Sequence, residues 1–180
     1  MFKKLINISI LLLSLLIISN CSSSEKNSTN KESVKGAFGI KFGDKFDTNQ
    51  TTKKIVENGT NLFQVNPPKK IKFFDKYYVA ITPKTHQISE IHAEKIYNDF
   101  MECENAHGLL WDIFAKKYSK IKVGKQGTLT ILTPDGYIML FKCSTNNTKT
   151  SKHTIVYKNT NYTDISKKEK LELVKNKDAL

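Results

Sequence analysis

Tyr77-Tyr78-Val79-Ala80-Ile81-Thr82, then Pro83-Lys84-Thr85-His86, then Ile88-Ser89-Glu90-Ile91-His92-Ala93-Glu94-Lys95-Ile96-Tyr97 form the passage that decides the fold, with Asp99 opening a different pattern just after it. β-Branched and aromatic residues fill both runs and a proline turn divides them, which predicts a hairpin of strands 77–82 and 88–97. From Asp99 the period changes. Cys103, Ala106, His107, Leu110, Ile113, Phe114 and Lys117 recur on one helical face, while Glu102, Glu104 and Asp112 fall elsewhere, so 99–118 reads as the principal helix. The lysines at its end and beyond, Lys116, Lys117, Lys120, Lys122 and Lys125, suit the negative carbonyl end of a helix.

Downstream, strands 128–133 and 137–143 flank Pro134-Asp135-Gly136, whose Asp-Gly pair signals a second hairpin. A further strand covers 153–157, and Ser166 with Glu169 can cap a last helix to about 177. Upstream, Pro67-Pro68 interrupts the chain before a strand at 71–74. In Gly36-Ala37-Phe38-Gly39-Ile40-Lys41-Phe42-Gly43 the large apolar residues alternate as in a short strand. Asp47 with Gln50 then reads as a capping box for a helix over 48–58 that stops at Gly59. The order predicts an α+β fold: a mostly antiparallel sheet of two hairpins plus edge strands, packed on the principal helix, with a short N-terminal and a C-terminal helix. No internal repeat is visible in the sequence.

Composition bounds the class. Of 180 residues, 39% are apolar and 26% charged, which excludes disorder throughout, and 8 Gly and 4 Pro exclude collagen and mucin. The net charge of +12 comes from 29 basic residues, every one a lysine, and with abundant asparagine this is also what an adenine- and thymine-rich coding sequence produces. Nucleic-acid readers add arginine for bidentate contacts, so with no arginine and an export signal no nucleic-acid partner is expected. The cluster from Lys116 to Lys125 could attract anionic headgroups or an acidic protein, with a solvated face as the plainer reading.

The export signal is the start of the chain. Met1-Phe2-Lys3-Lys4 is positive, residues 5–18 are nearly continuously apolar, and Ser19-Asn20-Cys21 follows. The apolar run is shorter than the roughly 20 residues of a comfortable bilayer span. Leu16-Ile17-Ile18-Ser19-Asn20-Cys21 resembles the lipobox of bacterial lipoproteins, with Asn20 standing where that family usually has Gly, Ala or Ser. The resemblance implies a diacylglyceryl group on Cys21, cleavage before it, and a membrane partner reached through the lipid. Ser22 and Ser23 lack the acidic residue that retains enteric lipoproteins in the inner membrane, which favours the outer membrane. The expected organisation is a signal peptide at 1–20, a lipidated cysteine and flexible tether at 21–35, one domain at 36–165 and a C-terminal helix or tail at 166–180. Within the domain, the opening glycines, the phrase from Tyr78 to Thr85, the Cys103 helix ending Lys116-Lys117-Tyr118 and a late strand ending at Tyr157 resemble small exported α+β domains of bacterial lipoproteins. That likeness covers about 36–175 and implies a fold without an active site.

Three cysteines are too few for a disulfide scaffold, and once Cys21 carries lipid two thiols remain in an oxidising compartment. A Cys103–Cys143 disulfide is the default, and a nucleophilic Cys103 with His107 one helical turn later is the competing reading. His92 and Glu94 share a strand face with Glu90, which could suggest a metal, but a solvated hairpin surface is the plainer reading because no His-x-His or His-Glu-x-x-His array exists. The glycines match neither a dinucleotide fingerprint nor a P-loop, and no serine sits in a Gly-x-Ser-x-Gly elbow. No catalytic residue, metal or cofactor is therefore expected. The expectation is a non-enzymatic envelope lipoprotein binding another protein in an assembly, inhibitor or immunity role, with Phe74 and Tyr78 on an apolar hairpin patch as the docking surface. The alternative is an exported enzyme with a cleft gathering His92, His107 and carboxylates.

Overall fold

The computed structural model describes residues 33–50, 53–57, 59–124, 127–145 and 150–177, which fall in a compact unit spanning 31–180. Cys21 and the rest of 1–32 lie outside the described residues. Strands β1 (Gly36–Ala37) and β2 (Ile40–Lys41) form a small antiparallel pair, and a 3-10 turn at Thr48–Gln50 follows. Then come β3 (Lys54–Glu57), β4 (Thr60–Val65), β5 (Lys76–Ile81), β6 (Ile88–Tyr97) and helix α1 (Phe100–Lys117). The second half runs β7 (Ile121–Val123), β8 (Leu129–Thr133), β9 (Gly136–Thr145), β10 (Ser151–Asn159) and α2 (Thr160–Lys177).

Eight strands make one antiparallel sheet in the order β3-β4-β5-β6-β10-β9-β8-β7. Each half is therefore a four-strand meander followed by a helix, and the halves meet along their last strands, β6 and β10. The fold is α+β, as the pattern of elements predicts, with a duplication in topology that the sequence does not display. Period-two alternation sorts the two faces. Val79, Ile91, Ala93, Ile155, Ile138, Leu140, Leu129 and Ile131 point to α1 and form the main core with Leu110 and Phe114. The other face is concave. On a flat sheet β3 would stand about 19 Å from β10, four strand spacings away, yet Glu57 reaches Lys152 at 3.5 Å. That curl closes β3 and β4 over β5, burying Leu62, Tyr78 and Ala80 with Ile55 against them.

The α1 boundaries follow from its caps. Asp99 accepts from the Met101 and Glu102 amides, and the Tyr118 amide returns to the Phe114 carbonyl. Cys103 and Cys143 are bonded, with Cα atoms 6.0 Å apart, tying α1 to β9.

Several expectations are corrected. Asp47 does cap a turn, accepting from the Asn49 amide at 2.9 Å, but the helix expected over 48–58 stops at Gln50. The β-branched Ile55 and Val56 instead alternate in β3, where pairing with β4 outweighs a weak helix signal. The strand expected at 71–74 is a turn, because the buried Tyr77 hydroxyl needs partners and takes backbone atoms of Ile71 and Phe74. The short strand around 38–42 is split by a turn at Phe38 and Gly39, both at positive φ, the pattern of a type I′ hairpin. Residues 33–35, assigned to the tether, belong to the domain: Val34 is buried in the core, and the Ser33 hydroxyl donates to the Asp135 carboxylate. The boundary at 165 falls inside α2, which starts at Thr160 rather than near Ser166. Its start is capped by Asn159, whose side chain accepts from the Tyr162 amide. Glu169 caps nothing in α2 and instead accepts from the Lys84 and Thr85 amides and the Thr85 hydroxyl, latching α2 to the β5–β6 turn.

Candidate functional site

The concave face gathers charge because two alternating strands lie side by side. In β6, Glu90, His92 and Glu94 alternate with the core residues Ile91 and Ala93. In β10, Lys152, Thr154, Val156 and Lys158 alternate with Ser151, His153, Ile155 and Tyr157. The register sets Lys158 directly opposite Glu90 and Thr154 opposite Glu94. Directly opposed unlike charges are the favourable cross-strand pair, and Lys158 Nζ meets Glu90 at 2.9 Å. Lys152, one pleat along, reaches Glu94 at 2.9 Å, while Tyr78 donates its hydroxyl to Glu94 at 3.2 Å. His92 Nε2 and Glu90 are 2.9 Å apart.

Glu57, Glu90, His92, Lys152 and Lys158 line a cavity of about 630 Å³ whose remaining wall includes Met139, Phe141, Val156, Thr128 and Thr60, with Glu94 and Tyr78 packed behind Lys152. The side chains of His92, Glu90 and Glu94 are only 12%, 11% and 14% exposed, so the solvated hairpin surface expected for them is corrected to a partly buried groove. Burial alone would raise the Glu90 carboxyl, but hydrogen bonds from His92 and Lys158 outweigh it and hold the group below its ordinary value. Burial likewise opposes the Lys152 ammonium, and Glu94 and Glu57 outweigh it, holding its pKa above the ordinary lysine value. Tyr78 is pushed up to about 12 by burial and by Glu94, so its phenol stays a donor. At neutral pH the groove therefore carries fixed charges of both signs.

His107 does not join His92. It stands on α1 across the sheet, with Nδ1 3.2 Å from Nε2 of the fully buried His153. Burial lowers both rings, His153 to about 4, with His107 adding to the effect on it. The cleft combining His92 and His107 is thus corrected to two separate places on opposite faces. Cys103, bonded to Cys143, has no thiolate to offer. Phe74 and Tyr78 are each 3% exposed and do not form a surface patch. Phe74 lies under the N-terminal segment in the helix-side core, and Tyr78 lies under the curl of β3 and β4, so the docking surface expected at these two rings is withdrawn. Among the described residues no group of three or more His, Cys, Asp or Glu side chains is placed to hold a metal ion. Likewise among them, no helix is long and apolar enough to cross a membrane.

Sequence reasoning missed Lys152, Lys158, Glu57 and Phe141 as members of the site. The alternation in β10 was readable, but its pairing with β6 joins residues more than fifty positions apart and left no local sign. Compared with known proteins, the chain matches no family model, no curated protein and no solved structure.

Proposed function

We propose that the chain is a membrane-anchored envelope lipoprotein, held through lipid on Cys21 and favoured for the outer membrane, whose domain binds another envelope or extracellular protein rather than catalysing a reaction. Assembly, inhibitor and immunity roles all fit this reading. The observation that carries it is the charge state of the concave groove. Acid–base catalysis works best with a group titrating near the working pH. Glu90 is held lower and Lys152 higher by their ion-pair partners, so these two groove charges stay fixed at neutral pH. Paired charges over the apolar Met139, Phe141 and Val156 instead suit a polypeptide segment of mixed charge.

One observation favours the second reading, an exported enzyme: His92 beside Glu90 inside the groove. Paired variants separate the two. With the lipidated protein as bait in detergent-solubilised envelopes, Phe141→Asp is expected to abolish capture of the partner and the associated phenotype, while His92→Ala retains both. Loss of phenotype with His92→Ala alone, with capture unchanged in both variants, would establish the enzyme reading instead.

A further inference from the structure

A second cavity, of about 810 Å³, opens on the opposite side of the sheet between α1 and the segment that leads into β1. Its size falls within the range of about 300–1,000 Å³ typical of small-ligand sites. Ile155 and Tyr157 of β10 line it from the sheet, Leu110, Ile113 and Phe114 from α1, and Ile71 and Phe73 from the turn before β5. Ile113 is 50% exposed and Ile71 is 38% exposed, so apolar surface is left facing water where the two walls part. The charged residues lining the cavity are Lys35, Lys69 and Lys117, and among the described lining residues there is no carboxylate. Apolar walls of this volume, with lysines and no carboxylate among the described lining residues, define the ligand by chemistry: a hydrocarbon chain ending in an anion.

We propose that this cavity binds a single long-chain anionic amphiphile, its acyl chain lying along α1 and its head group among Lys35, Lys69 and Lys117. The proposal stands on the cavity and its charges and does not depend on the concave groove. Ser33 also lines the cavity. If Cys21 is lipidated, it stands 12 positions before Ser33, a reach of at most about 43 Å for any chain path, so the opening stays close to a bilayer that supplies such molecules.

The test uses residues 31–180, the compact unit with its own core and disulfide, oxidised and free of detergent. Dansyl-labelled undecanoic acid is titrated in, then displaced by palmitate, by a palmitoyl lysophosphatidylglycerol or by hexadecanol, each kept monomeric. Saturable binding of one probe per chain is expected, with displacement by the anionic amphiphiles at least about tenfold better than by hexadecanol. Palmitate acting alone would assign a free fatty acid as the source, and the lysophospholipid acting as well would assign a membrane lipid; both support the site. Ile113→Glu and, separately, Ile71→Glu should each weaken probe binding at least about tenfold by placing a carboxylate against the chain, with the thermal transition retained. Val174→Glu, on the exposed surface of α2, should leave binding unchanged. Lys35→Gln with Lys69→Gln should weaken palmitate and spare hexadecanol. No saturable binding, equal displacement by hexadecanol, indifference to both glutamate variants, or a face occupied by a second copy in sedimentation would each overturn the proposal.

Discussion

At the scale of single residues, this domain places side chains where their surroundings dictate their chemistry. Phe38 accepts positive φ, which costs a non-glycine residue on the order of 1 kcal/mol, and in return its ring packs edge-on against Tyr77 at 5.0 Å and Tyr157 at 5.5 Å. Phe38→Gly would relieve the backbone and remove the ring, so a net loss of about 2–4 kcal/mol is expected from denaturant melts. Gly43 is constrained twice, by φ of 83° and by the Tyr162 hydroxyl 2.1 Å from where a Cβ would sit. His153 sets a pH dependence. Its folded pKa of about 4 lies below the ordinary 6.5, so as pH falls below 6.5 the unfolded chain takes up a proton that the folded chain refuses. The His153 contribution should lower stability by roughly 3 kcal/mol between pH 6.5 and 4 and change no further below that, with His107 acting in the same direction. Glu90 and Glu169, whose pKa values are lowered, lose their contributions only below the ordinary carboxyl value of 4.5. His153→Phe should therefore flatten most of the slope between pH 6.5 and 4.5. An unchanged slope in that variant would place the titrating group elsewhere.

Among the elements, two cross-links between distant parts carry testable weight. The Cys103–Cys143 bond closes a loop of sequence separation 40, and chain entropy puts its contribution at about 4 kcal/mol. Cys103→Ala with Cys143→Ala should lower stability by roughly that amount without changing the circular dichroism of the folded form. Glu169 holds α2 to the β5–β6 turn through three hydrogen bonds, and Glu169→Ala should cost about 1–3 kcal/mol and release α2 to fast amide exchange before the sheet opens. How far these elements were legible depends on where their signals lie. Strand 88–97 was read to the residue and helix 99–118 to its caps, because alternation and a change of period are both local. β4 had no prediction, although its burial pattern pairs Leu62 and Phe63 with opposite faces of the sheet. Gly136 was read as a turn residue, yet its main constraint is the Lys158 carbonyl, 1.9 Å from where a Cβ would stand, a contact made across strands. The candidate groove was half visible, since Glu90, His92 and Glu94 share a parity, and half hidden, since their lysine partners come from β10 and β3 closes over them.

For the whole molecule, the curl is what separates the charged groove from the main core. One face of the sheet is spent on α1, and the other is bent until its edge strand reaches its middle, which converts a row of surface charges into a groove with fixed polarity. Under the proposed reading, a domain joined to a bilayer by a short segment meets membrane partners at raised effective concentration, so modest affinity in the groove suffices. Cys21→Ser is then expected to block processing, so that the uncleaved chain accumulates without acyl groups, while leaving the melting behaviour of residues 31–180 untouched; mass spectrometry of the wild-type mature chain should find acyl groups on Cys21. An unlipidated, soluble wild-type chain would rule out the lipid anchor. Protein binding in the groove is measured most directly by photo-crosslinking in the intact envelope, with a photoreactive amino acid at Thr154 on the groove wall and, as control, at Met101, 63% exposed on α1. A discrete protein adduct from position 154 that is absent from position 101 and lost with Phe141→Asp is the predicted result. Adducts of equal yield from both positions, or none from position 154 in cells where the protein is functional, would contradict it.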